Sequence, residues 1–119
     1  MCGRYAASRR PEDLVEEFDV DTPPAERLEP DYNVAPSKPV YAVVERREPV
    51  EPLEQDEPRP RRRLQVATWG LVPSWAKDPA IGTRLINARV ETAAEKPAFR
   101  AAFRHRRCLL PPRRTPRCR

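Results

Sequence analysis

Val40-Tyr41-Ala42-Val43-Val44 is an apolar, largely β-branched run that begins after Pro39 and gives way to Glu45-Arg46-Arg47. A short apolar run of this kind, bounded by proline and charge, predicts a strand over residues 39–45. On its C-terminal side, residues 48–63 are rich in Pro, Glu and Arg and poor in apolar side chains. They read as a loop between two strands, because such a composition cannot bury enough surface to offset the cost of ordering. Residues 64–69, Leu64-Gln65-Val66-Ala67-Thr68-Trp69, alternate and predict the next strand. On the N-terminal side, residues 19–30 form a polar, Pro-bearing connection. Residues 11–18 predict a short helix: Pro11 suits a first turn, Glu12 and Asp13 suit its positive end, and Leu14, Val15 and Phe18 share a face. Residues 3–6 begin a strand. Beyond Trp69, residues 70–82 are a loop with Pro73 and Pro79, Leu85-Ile86 is a brief apolar step, and residues 90–104 hold one or two short helices broken near Pro97. Residues 107–110 predict a further core strand. Short strands with few helices and no internal repeat point to an α+β or mostly-β domain.

At 119 residues the chain suits one domain or a piece of a larger one. Hydrophobic residues make up 39%, there are 16 prolines, and mean hydropathy is −0.81, so the core is expected to be small. The net charge of +5 is unevenly spread. Residues 1–60 carry 8 Lys/Arg and 15 Asp/Glu, residues 61–119 carry 15 and 3, and the halves stand at −7 and +12. Such asymmetry fits a basic face for a polyanion, or a merely solvated surface. Arg113, Arg114, Arg117 and Arg119 near the end supply four of the positive charges. Three cysteines, Cys2, Cys108 and Cys118, are too few and too irregular for a disulfide framework. Neither a signal-peptide core nor a run of about 20 apolar residues is present. A cytoplasmic protein is expected, with no cofactor and no membrane partner.

Cys2 follows the initiator Met1. Once Met1 is removed, one residue carries two nucleophiles, a thiol and an α-amine, with ordinary pKa values of about 8.5 and about 7.7–8.0. An aldehyde can condense with the amine and close onto the thiol as a five-membered thiazolidine. An internal cysteine cannot do this, because its nitrogen is an amide. The amine could also act as the thiol's own base. An arbitrary cysteine on a frayed terminus is the plain alternative, and context decides between them.

That context is a set of five motifs in order: Met1-Cys2-Gly3-Arg4-Tyr5, Tyr32-Asn33-Val34-Ala35-Pro36, Trp69-Gly70-Leu71-Val72-Pro73-Ser74-Trp75, Ile86-Asn87-Ala88-Arg89-Val90-Glu91-Thr92, and a segment from Phe99 ending in Arg107-Cys108-Leu109-Leu110-Pro111. In these the chain resembles the SOS-response-associated peptidase (SRAP) family, over residues 1–111 and not in the loop 48–63. The resemblance implies an α+β domain around a β-barrel-like core of short strands with a few short helices. It implies binding of single-stranded DNA or single-strand/double-strand junctions by a monomer, and a thiazolidine between Cys2 and the ring-opened sugar of an abasic site. It also implies a self-cleavage that removes Met1.

Residue by residue, the family pattern places Cys2 as crosslinking nucleophile and Asn87 as the polar group beside it. Arg4 and Arg89 match phosphate-contacting arginines, whose guanidinium groups offer paired donors. Trp75 matches an aromatic that meets the DNA, and Pro36 a residue lying against the strand at the lesion. Other readings remain open: Asn87 as a cap for the turn before Val90, and Glu91 as an ion-pair partner of Arg89. Trp69, which closes the alternating strand, is read as core rather than contact, and His105 as a surface residue. His105 and Cys108 have ligand-like spacing but no second pair, so no metal site is expected.

After Pro111 the family continues into a G-[FY]-[YF]-E-W motif with a catalytic Glu, and later a His. Here residues 112–119 follow instead, Pro112-Arg113-Arg114-Thr115-Pro116-Arg117-Cys118-Arg119. We read residues 1–111 as a partial domain with its C-terminal half missing, and 112–119 as an aberrant Pro/Arg-rich tail of the kind a frameshift near Pro111 leaves. Three functions compete: an abasic-site crosslinking protein with peptidase-type chemistry, a truncated non-catalytic fragment that only binds nucleic acid, and a basic RNA- or protein-binding adaptor.

Overall fold

The computed structural model describes residues 3–47 and 60–113. Cys2, most of the expected loop at 48–63 and most of the expected tail at 112–119 lie outside the described residues.

The run read first is the centre of the molecule. β3 (Pro39–Arg46) lies between β4 (Arg61–Thr68) and β5 (Cys108–Leu109) in a three-stranded antiparallel sheet. Val40, Tyr41, Ala42 and Val43 are all buried, on both faces of the sheet. A strand covered on both faces has no polar-outward position, which is why its sequence does not alternate. β4 does alternate, with Leu64 buried between exposed Arg63 and Gln65.

One sheet face is closed by α1 (Pro11–Glu17), which has Pro at its start and Glu12 and Asp13 in its first turn. Leu14 inserts against Tyr41, Val43 and Leu64, and Val15, Phe18, Val20, Leu28 and Val66 pack around that cluster. The helix stops where Asp19 turns to φ +49°, a conformation that a short polar side chain tolerates. The Tyr41 hydroxyl accepts the backbone N–H of Leu28 at 2.7 Å, so the connection after α1 is fastened to the core by a buried phenol. Leu14→Ala removes a side chain that is 1% exposed, and we expect a loss of roughly 2–5 kcal/mol in denaturant unfolding. A loss below about 1 kcal/mol would show that α1 does not close the core.

β4 begins three residues before the expected strand. Arg62 brings this about: its N–H donates to Asp21 Oδ2 at 2.8 Å, and its guanidinium donates to Glu45 at 2.9 Å and to the Phe18 carbonyl at 2.8 Å. Leu64 N–H also donates to the Thr22 carbonyl, in a parallel bridge beside β4. Acids and carbonyls thus draw a basic stretch into the sheet that apolar periodicity leaves out.

A second sheet pairs β1 (Tyr5–Ala7) antiparallel with β2 (Asp31–Val34), Tyr5 opposite Val34 and Ala7 opposite Asp31. β2 overlaps Tyr32-Asn33-Val34-Ala35-Pro36, a stretch that periodicity alone does not mark as strand. The Arg113 N–H donates to the Ala6 carbonyl at 2.7 Å, so the chain after β5 runs back beside β1. A 3-10 turn, Pro79–Thr83, and two short helices, α2 (Val90–Ala93) and α3 (Arg100–His105), complete the described elements. Pro97 lies between the two helices, as expected.

The class is α+β, as expected, but the described strands make two separate sheets and no closed barrel. The expected core strand at 107–110 is corrected as well. β5 is two residues long and exposed, with Leu109 at 59%. Among the described residues it pairs only with β3, which makes it an edge, and an edge strand has one neighbour to cover it. Among the described residues no helix is long and apolar enough to cross a membrane.

Candidate functional site

The two sheets meet at Trp69. Its N–H donates to the Lys38 carbonyl at 3.2 Å, and its carbonyl accepts the Ser37 N–H at 2.9 Å. The turn carrying Pro36 is thereby locked to the end of β4. Its tightness requires Ser37 at φ +71°, with the Lys38 N–H returning to the Ala35 carbonyl. Immediately after Trp69 the chain turns at Gly70, φ +135°, where a Cβ would stand 2.5 Å from the Gly82 carbonyl oxygen. Leu71 N–H then donates to the Leu85 carbonyl at 3.0 Å, which draws residues 82–86 alongside.

The Trp69 side chain completes the junction. Its indole N–H donates to the Ile86 carbonyl at 3.0 Å. Its ring meets Tyr5 edge-on, with centroids 5.5 Å apart and planes at 68°, a favoured arrangement of aromatic quadrupoles. Trp69 is thus a structural pin, half-buried and committed to Ile86. It joins the strand that follows Cys2 to the residue that precedes Asn87.

Arg4 is exposed and adjoins Tyr5, Pro36 is half-buried and adjoins Ser37, and Asn87 is half-buried and adjoins Ile86. The chain of contacts through Tyr5, Trp69 and Ile86 therefore gathers the backbone at three of the sequence-derived positions. Trp75 and Arg89 stand outside that chain. Trp75 is 59% exposed, on a turn closed by the Ala76 N–H to the Pro73 carbonyl. Arg89 occupies the N-cap position of α2, so Asn87 is not that helix's cap residue. The Arg89 carbonyl accepts the N–H groups of Thr92 and Ala93, which fixes its backbone while its side chain stays exposed. Among the described residues no ion pair links it to Glu91. His105 is exposed at the end of α3, and among the described residues no three His, Cys, Asp or Glu side chains gather.

The family model described as SOS response associated peptidase (SRAP) matches residues 1–113. The chain belongs to the SRAP family. It is 39% identical over 112 residues to the abasic site processing protein YoaM of Bacillus subtilis (strain 168), covering 93% of this chain and 44% of that protein. To the abasic site processing protein YedK of Escherichia coli (strain K12) it is 35% identical over 113 residues, 92% of this chain and 44% of the other. To the abasic site processing protein HMCES of Xenopus tropicalis it is 26% identical over 131 residues, 92% of this chain and 36% of the other. The chain spans somewhat under half the length of these relatives.

In this SRAP chain the sequence motifs leave two charged residues unmarked. Lys38 Nζ donates to Asp31 Oδ2 at 2.7 Å, and Asp31 Oδ1 accepts the Asn33 N–H at 2.8 Å. Lys38, then the Asn33 N–H, and more weakly the charge of Arg4 hold the Asp31 carboxyl below the ordinary carboxylate range. The Tyr5 phenol is raised, first by burial and then by the negative charge of Asp31. Nothing in the spacing of residues 31 and 38 signals this pair, because it depends on how the turn at 35–38 closes in space.

Proposed function

We propose that this SRAP chain binds single-stranded DNA and captures abasic sites covalently through Cys2. Family membership over residues 1–113 supports the reading, as do the relatives named abasic site processing protein. The single structural observation that carries it is the junction of Tyr5, Trp69 and Ile86, which holds the strand after Cys2 beside the segment bearing Asn87 and Arg89. A terminus used as a nucleophile has to be held at a defined place, and this junction supplies the anchor three residues from Cys2.

The chemistry follows from the terminal cysteine. Hydrolysis of the bond between Met1 and Cys2 frees the α-amine, and Cys2 acts as nucleophile in that self-cleavage. The ring-opened abasic sugar presents an aldehyde. The amine attacks its carbon and water leaves, giving an imine. The thiol sulfur adds to the same carbon, its proton passes to nitrogen, and the thiazolidine closes. Asn87 holds the terminus and the sugar by hydrogen bonding. Arg4 and Arg89 take the flanking phosphates, exposed Trp75 offers an unpaired base a stacking surface, and Pro36 lies against the strand at the lesion. The partners are single strands and single-strand/double-strand junctions, met by a monomer in the cytoplasm and on the nucleoid.

The test is a denaturing-gel assay with three single strands of one sequence, carrying an aldehydic abasic site, a tetrahydrofuran analogue without the aldehyde, or an intact base. Only the first should give a covalent band. Equal bands on the first two would end the aldehyde mechanism, and no band on any would end the capture reading. Arg4→Ala and Arg89→Ala should each flatten the salt dependence of binding by about 0.7 of a log–log unit, one phosphate contact on a single strand. Unchanged slopes would make both arginines structural.

A further inference from the structure

Lys38 combines a fixed backbone with a half-exposed side chain. Its N–H and carbonyl are both used, by Ala35 and by Trp69, in the turn that carries Pro36. Its ammonium reaches only outward, to Asp31, in a pair whose side chains remain 50% and 33% exposed. Exposed pairs of this kind are weak, because water and salt compete for both partners. Arg4 adds a second cation to the field of the same carboxylate. Two cations and one acid thus lie close together beside the β1–β2 sheet, next to the strand that follows Cys2. A carboxylate at that place competes with a phosphate backbone for the same ammonium.

We propose that Lys38 is a further phosphate-contacting residue, and that Asp31 is its counter-ion in the free protein, exchanged for a DNA phosphate on binding. The proposal rests on the single-strand-binding reading above. The exchange makes one ion pair and breaks one, so it costs little, and it shields the site's positive charge until a polyanion arrives. Asp31 keeps its second role throughout, since Oδ1 remains on the Asn33 N–H.

Asp31→Asn isolates the charge, because an amide oxygen can still accept from Asn33 while no longer holding an ammonium. On an intact single strand at low salt, Asp31→Asn should tighten binding about two- to fivefold, the worth of an exposed pair. Lys38→Gln should weaken binding and flatten the salt dependence by about 0.7 of a log–log unit. In the double variant the tightening from Asp31→Asn should shrink, because there is no lysine left to release. An undiminished slope for Lys38→Gln, weaker or equal binding by Asp31→Asn, or full tightening in the double variant would each overturn the exchange. Wild-type protein that binds no single strand overturns the functional reading itself, and this proposal with it.

Discussion

Cys2→Ser abolishes the heat-stable adduct with abasic single-stranded DNA, the largest effect we expect from any one substitution. The reason is the relative fate of two ring closures. In the Ser variant prepared without Met1, with its removal confirmed by intact mass, the α-amine is free and the imine still forms, but a hydroxyl is a weaker nucleophile than a thiol and does not trap it. The two halves of the reaction therefore separate under a reductant. With borohydride present, the Ser variant should still yield a covalent band, because reduction of the imine replaces ring closure. Without it, the band should fall to background. Retention of Met1, confirmed by intact mass, should remove both bands, because the amine is then an amide. A heat-stable adduct from the Ser variant without reductant would refute the thiazolidine, and any adduct with Met1 in place would refute the amine's role.

Gly70→Ala should be the most damaging change away from the terminus. The position sits at φ +135°, and an added Cβ would meet the Gly82 carbonyl oxygen at 2.5 Å. Backbone strain of this sort costs on the order of 1–3 kcal/mol, and the clash is with main chain, which cannot swing aside. For a domain of this size that corresponds to a fall in Tm of roughly 4–18 °C. The turn leads directly out of Trp69, so adduct formation should fall along with stability. Gly82→Ala is the matched control. Its Cβ would meet Val72 Cγ2 at 3.3 Å, a side-chain atom with room to shift, so its effect should be small. Equal melting of the two variants would mean that residues 70 and 82 are not in the close approach seen here.

Much of this was legible in the residues, and the exceptions have a common cause. The apolar run at 40–44, the Pro-led helix with Leu14, Val15 and Phe18 on one side, and the break near Pro97 all depend on neighbours in sequence, and all appear as elements. β2 and the early start of β4 do not. Both are stabilised across the chain, β2 by β1 and Arg62 by Asp21, Glu45 and Phe18. β5 fails in the opposite sense. Cys108, Leu109 and Leu110 have the composition of a core strand, yet burial depends on what lies on both sides, and among the described residues β5 has only β3 beside it.

The candidate site divides in the same way. Cys2 placed after Met1, with the ordered motifs, was enough by itself to specify the family and the chemistry open to its terminus, because an α-amine and a thiol on one residue need no fold to define them. The role of Trp69 as a pin between Tyr5 and Ile86, and the pairing of Lys38 with Asp31, were decided only in three dimensions. A hydrogen bond between residues 69 and 86, or an aromatic contact between 5 and 69, arises from how the turns at Ser37 and Gly70 bring distant segments together, and no local spacing encodes that approach.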